Sequence, residues 1–211
     1  MKMKEKGVLA VVSGFSGAGK GTIVSKLINN YDGYALSISA TTRAPREGEV
    51  DGVHYFYKEH EEFEKMIEQD ELYEYARYLD NYYGTPKAFV REQIASGKDV
   101  ILEIDVQGAL QIKKKYPGVF LVFVTPPSIE ELSRRLRGRG TETEEQIQGR
   151  LDRARDEAVY MDEYDFILIV EDPETGTRKL HDLIQAVHCR PSMKKAFISD
   201  IRAQLDTERG E

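Results

Sequence analysis

The sequence predicts an α/β fold in which a parallel sheet is flanked by helices and interrupted by two insertions. Short apolar runs at 7–12, 100–106, 120–125 and 166–170 read as strands buried on both faces. Helical patterns fall between or after these runs, which is the rhythm of a parallel sheet. Two stretches, 38–85 and 128–161, break that rhythm, the first rich in tyrosine and the second in arginine.

The first run ends in Ser13-Gly14, and 22–30 then places Ile23/Leu27 and Val24/Ile28 at helical spacing, so the chain opens as strand, glycine-rich turn, helix. Leu36, Ile38 and Ala40 alternate with polar residues, the period of a half-exposed strand. Strands are expected at 53–57 and 72–78, with a short helix at 63–67 and a turn at Asp80-Asn81. Thr85-Pro86 reads as an N-cap and first-turn proline, and Ser96-Gly97 as the end of that helix. Ser128 with Glu131 has the capping-box spacing. Leu180, Leu183, Ile184 and Val187 mark a later helix, and Met193, Phe197, Ile201 and Leu205 form a four-residue stripe expected to pack on the core or on a second subunit.

Composition limits the function classes. A chain of 211 residues, 40% hydrophobic and 32% charged, suits one buried core with small excursions rather than two full domains. The net charge of -7 argues against broad binding to nucleic acid or an anionic membrane. Cys189 is the single cysteine, so neither an internal disulfide nor a zinc cluster is expected. The opening Met1-Lys2-Met3-Lys4-Glu5-Lys6 leads into an apolar run too short for a membrane span and without a cleavage pattern. A soluble cytoplasmic protein is the expectation.

Gly14-Phe15-Ser16-Gly17-Ala18-Gly19-Lys20-Gly21-Thr22 is the most informative stretch. Between a strand and a helix it resembles a P-loop, whose backbone N–H groups cradle phosphates while the lysine reaches the outer ones. Glycine is needed where a Cβ would block the turn or the approach of phosphate. The residue after Lys20 is Gly21, so the hydroxyl that usually meets magnesium is displaced to Thr22 or replaced by water. The Gly-Lys-Gly-Thr form is similar to that of nucleoside-monophosphate kinases. This assigns Gly14, Ser16, Gly17, Ala18, Gly19, Lys20, Gly21 and Thr22 to ATP phosphates and leaves the acceptor open. Glu103 and Asp105, two apart at the end of the 100–106 run, are expected on one strand face, where acids hold magnesium through water or accept a base N–H.

The run Ser39-Ala40-Thr41-Thr42-Arg43-Ala44-Pro45-Arg46-Glu47-Gly48-Glu49-Val50-Asp51-Gly52-Val53-His54-Tyr55 closely resembles the guanylate kinase signature. Tyr82-Tyr83-Gly84-Thr85, Glu103-Ile104-Asp105-Val106-Gln107-Gly108 and Arg135-Leu136-Arg137-Gly138-Arg139-Gly140-Thr141-Glu142-Thr143 extend the likeness over about residues 7–188. It implies a P-loop core (1–37, 86–127 and 162–211), an inserted mixed β GMP-binding lobe (38–85) and a helical lid (128–161). The implied reaction is ATP + GMP → ADP + GDP with Mg²⁺, by a monomer or homodimer. The resemblance gives Arg43, Arg46, Tyr55 and Tyr83 to the GMP phosphate, Ser39 to GMP as a contacting hydroxyl, and Glu74, Thr85 and Asp105 to guanine. It makes Lys20, Arg43, Arg135, Arg139 and Arg150 the catalytic cations. The chemistry agrees: paired guanidinium groups neutralise a phosphate dianion, and a carboxylate accepts from guanine N1–H and N2–H₂ where adenine has neither donor.

Three positions depart from the family pattern. Phe15 stands where proline is common, Val170 where an asparagine usually ends the last strand, and Gly149 lies inside a lid helix at about 1 kcal/mol of helix stability. Arg134 and Arg137 read as solvated, and His54, His60, His181, His188 and Cys189 have no arrangement that argues for catalysis. Two other readings compete: a kinase for a different monophosphate, and a non-catalytic binding module of the same fold, which need not keep the phosphate loop or the lid arginines.

Overall fold

The protein, in a computed structural model describing residues 6–116, 118–138, 140 and 142–208, is built on two sheets. The larger is all parallel, in the order β2 (Tyr34–Leu36), β7 (Asp99–Glu103), β1 (Leu9–Gly14), β8 (Phe120–Thr125), β9 (Phe166–Ile169). Every residue of β1 is buried, because both faces are covered. Ala10 and Val12 pack with Ile23 and Leu27 of α1 (Lys20–Asn30) and Leu180 and Ile184 of α7 (Pro173–His188). Leu9 and Val11 turn the other way, onto Val90 of α3 (Lys87–Ala95) and Ala109 and Ile112 of α4 (Val106–Lys115). The unbroken apolar reading of this strand is the signature of that two-sided burial.

The smaller sheet runs β4 (Phe56–Tyr57), β3 (Ala40–Thr41), β6 (Asn81–Pro86), β5 (Leu72–Tyr78), with β3 parallel to β4 and the other pairs antiparallel. Its own core is Ala40, Phe63 and Leu72, with Phe63 of α2 (His60–Glu68) stacked on Tyr82. Two further helices, α5 (Ile129–Arg137) and α6 (Glu144–Ala158), lean on the larger sheet's core through Leu132, Leu136, Ile147 and Ala154.

Several local expectations are corrected. The alternation at 36–40 is not one strand: Ser37 N–H still bonds Ile101 in the first sheet, while the Ser39 carbonyl accepts from Phe56 in the second. The chain is crossing between sheets there. Only Phe56–Tyr57 of the 53–57 run is a strand, and Val53 is exposed in a turn. Thr85 does not cap α3: it lies in β6 with its hydroxyl on Glu74, and Pro86, the last residue of β6, is the N-cap instead. At Ser128 the cap forms one way only: its hydroxyl accepts from Glu131 N–H, while the Glu131 carboxylate turns to Arg134 and Arg135. The tail forms α8 (Lys195–Glu208), yet Phe197, Ile201 and Leu205 stay exposed and only Met193 reaches the core.

The departures at Phe15 and Val170 have packing reasons. Phe15 is buried edge-on against Phe123, with ring centroids 4.9 Å apart. Val170 is buried against Gly176, where a Cβ would stand 3.0 Å from a Val170 methyl. His181 stacks on Tyr31 and bonds the Tyr34 hydroxyl, and His188 pairs with Asp99, both structural roles.

Candidate active site

The carboxyl ends of β1 and β7 open onto a cleft, the place where ligands sit in such sheets. The loop after β1 is shaped by three glycines with positive φ, Gly14 (132°), Gly17 (91°) and Gly19 (98°). At Gly14 a Cβ would fall 2.1 Å from the Val124 carbonyl oxygen, and at Gly17 2.7 Å from the Leu136 side chain. Gly19 is the left-handed N-cap of α1, so no N-cap side chain covers the start of the helix, and its first turn holds no acid. The helix's first N–H groups and its dipole therefore face the cleft ready for an anion. Lys20 Nζ lies over the loop, donating to the carbonyls of Gly14 (2.6 Å) and Phe15 (3.0 Å).

Ser16, Gly21 and Thr22 line a cavity of about 280 Å³ with Lys20 and Glu103. Burial pushes the Glu103 carboxyl above its ordinary range, and the charge of Lys20 partly restores it. Asp105 does not share a strand face with Glu103, as the sequence suggested. β7 stops at Glu103, and Asp105 is the N-cap of α4, its Oδ1 accepting from Gly108 N–H at 2.9 Å.

The helices α5 and α6 bring arginines to the same loop. Arg135 donates to the carbonyls of Ala18, Val170 and Glu171 and is held from behind by Glu131, which it and Arg134 pull down to a pKa of about 2. Arg150 donates to the Ser16 hydroxyl at 2.6 Å and pairs with Glu142. Leu132 and Leu136 of α5 are fully buried, as their spacing requires. Arg139 lies outside the described residues.

On the other flank a cavity of about 570 Å³ is lined by Ser39, Tyr55, Glu74, Tyr83 and Asp105. It shares Tyr78, Glu103, Ile104, Asp105 and Arg153 with the 530 Å³ cavity over the phosphate loop, so the two adjoin. Arg43 lies 5.5 Å from the Tyr55 ring centroid and donates to Glu49 at 2.9 Å. The Arg46 side chain is exposed, and its backbone N–H is the part that turns inward, to Glu49. Glu74 is buried, and desolvation lifts its pKa to about 7, aided by the charge of Asp105 and opposed by the Thr85 hydroxyl bond of 2.6 Å. Thr85 is buried as well, with its hydroxyl on Glu74 rather than in the cavity.

Two parts of this arrangement were not legible in advance. Glu49 gathers Arg43, the Tyr57 hydroxyl and the Arg46 N–H, which together hold its carboxyl near pKa 2, the backbone bond leading. Its position three residues after Arg46 across a glycine turn was the available signal. Arg153, three residues after Arg150 and so on the same helical face, bonds Glu157 at 3.0 Å and reaches Asp105 at 3.3 Å.

The guanylate kinase family model matches residues 6–187. The chain belongs to the guanylate kinase family. A guanylate kinase of Caldanaerobacter subterraneus is 48% identical over 204 residues, covering 97% of this chain and 99% of that protein. One from Halalkalibacterium halodurans is 50% identical over 187 residues, covering 89% and 92%. The crystal structure of the guanylate kinase from Anaplasma phagocytophilum superposes with a TM-score of 0.66 at 32% identity, covering 87% of each chain. The phosphate loop, the tyrosine-lined cavity and the arginine-bearing helices of this guanylate kinase family member all fall inside the matched span.

Proposed function

We propose that this chain transfers the γ-phosphoryl group of ATP to GMP, giving ADP and GDP. The observation that carries the proposal is a pair of adjoining cavities, one over a phosphate loop and the other lined by a buried carboxylate, Glu74. Membership of a nucleoside-monophosphate kinase family and relatives named guanylate kinase along nearly the whole chain support it. We read the chain as three parts: a core (1–37, 86–127, 162–211), an acceptor lobe (38–85) and a lid (128–161). The two separate sheets and the separate α5–α6 pair support that division. No described helix is long and apolar enough to cross a membrane. We read the chain as a cytoplasmic monomer or homodimer.

In this reading Gly14 to Thr22 receive the ATP phosphates on backbone N–H groups, and Lys20 leaves the loop carbonyls for phosphate oxygen. Arg43, Arg46, Tyr55 and Tyr83 bind the GMP phosphate, Ser39 contacts GMP through its hydroxyl, and Glu49 holds Arg43 in place. Glu74 accepts from guanine N1–H and N2–H₂, Thr85 orients it, and Asp105 takes a further base donor. Arg135, Arg139 and Arg150 place positive charge around the transferring group. The GMP phosphate is already ionised, so an oxygen lone pair attacks the γ-phosphorus while the bond to the ADP oxygen breaks, with no strong general base. Rate then comes from positioning and from charge stabilised in the transition state.

The acidic and hydroxyl groups at the loop, Glu103 and Thr22, fit a hard divalent cation held through water. Magnesium, when bound with ATP, would neutralise phosphate charge there. An acceptor panel tests the proposal. GMP should give magnesium-dependent ADP release, with AMP, CMP and UMP far slower. ADP release no faster with GMP than without it would favour the non-catalytic module, and preference for another monophosphate would replace the acceptor.

A further inference from the structure

Arg153 belongs to neither the phosphate loop nor the acceptor lobe, yet it borders both cavities. It shares a face of α6 with Arg150 and Glu157. Arg150 reaches back to the phosphate loop through Ser16, whereas Arg153 reaches forward, with Nη2 3.3 Å from Asp105 Oδ2. Glu157, almost fully buried, holds the Nε of Arg153 at 3.0 Å and so fixes its stem. The other Asp105 oxygen is committed to Gly108 N–H. Oδ2 is the oxygen not drawn into the helix cap, and Arg153 stands on it. The pair is 52% and 44% exposed, hence screened and easily exchanged for a better-placed donor.

We propose that Arg153 is a specificity-determining residue that makes phosphoryl transfer depend on the 2-amino group of guanine. The inference rests on the proposed reading of Asp105 as a guanine acceptor. When the amino group bonds Oδ2, the outer guanidinium nitrogen of Arg153 loses its aspartate. Its stem stays on Glu157, and its charge turns into the cavity that also holds Lys20 and Arg150. A purine without the amino group leaves Arg153 on Asp105, and one cation is withheld from the transition state. Discrimination then appears in kcat as well as in KM, because a charge felt mainly by the transition state changes kcat.

The test compares GMP with inosine monophosphate, which lacks only the 2-amino group, in the intact protein and in Arg153→Met and Arg153→Lys. In Arg153→Met, kcat with GMP should fall about tenfold or more, while kcat with inosine monophosphate changes less than about threefold. GMP binding measured without ATP should tighten about two- to fivefold, since Asp105 has lost its competitor. Arg153→Lys should recover most of the lost kcat. Equal losses with the two acceptors, an unchanged kcat with GMP, or weaker GMP binding would overturn the proposal. Arg153→Met also takes the Nε bond from the almost fully buried Glu157, so a melting curve of each variant is recorded and the kinetics are read below the onset of unfolding. If the intact protein did not phosphorylate GMP at all, the kinase reading itself would fail, which is a separate result.

Discussion

In the proposed reaction, Glu74 is the residue on which acceptor choice turns. Burial raises its carboxyl from the usual 4.5 to about 7, so near neutral pH the empty site holds a mixture of acid and carboxylate. The unfolded chain ionises this group near 4.5, so between the two values the native state binds more protons and its stability falls as pH rises. Guanine binding runs the other way, because only the carboxylate accepts both N1–H and N2–H₂. KM for GMP should therefore drop as pH rises from about 6 to 8, by up to roughly tenfold for one proton released. Titration of the GMP phosphate, with a second pKa near 6, adds to that slope. Glu74→Gln separates the two, since it keeps the phosphate's contribution and removes the carboxyl's. It also turns a double acceptor into one acceptor and one donor, so kcat/KM for GMP should fall about ten- to a hundredfold and the GMP/AMP ratio should narrow. A variant that retained the full GMP preference, with the original pH slope, would show that Glu74 does not read the base.

At the scale of elements, α6 combines strong signals with one weak position. Thr143 and Gln146 form a complete capping box at its start, and Ile147 and Ala154 anchor it to the core. Gly149 sits in the middle, exposed, and a Cβ there would meet nothing within 4 Å. Gly149→Ala should therefore stabilise the protein by about 1 kcal/mol and raise Tm by about 2–4 °C in a thermal melt. A Tm that stayed level or fell would mean that α6 adds nothing to the cooperative fold. Elements like this one were legible because helical period and caps are local. The apolar core strands were legible too, since two-sided burial writes itself as unbroken apolar runs. The crossing at 36–40 was not, because alternation looks the same whether one strand continues or the chain changes sheets. Asp105 was misplaced for a related reason: an acid after an apolar run can end the strand or cap the next helix, and only the Gly108 bond decides.

In the proposed reading, the whole molecule sets two anion-binding flanks side by side across adjoining cavities. Their existence could be read from the phosphate loop and from the arginine and tyrosine signature, because those residues lie close in sequence. Their meeting could not. Arg150 comes to Ser16 across 134 residues and Arg153 to Asp105 across 48, and such long-range pairs leave no periodic trace. The tail shows a converse failure, since its stripe has helical period without the burial that period usually announces. Arg135 on the loop carbonyls and Arg43 on Glu49 satisfy their charge within the protein, and phosphate oxygens would draw them onto substrate. Closing the two flanks over both nucleotides would keep water from the phosphoryl group. The most direct measurement follows a label on the γ-phosphate of ATP in the presence of GMP and magnesium. The account predicts that the label appears in GDP, with little free phosphate while GMP lasts. Label released chiefly as inorganic phosphate, or passed to AMP in preference to GMP, would contradict it.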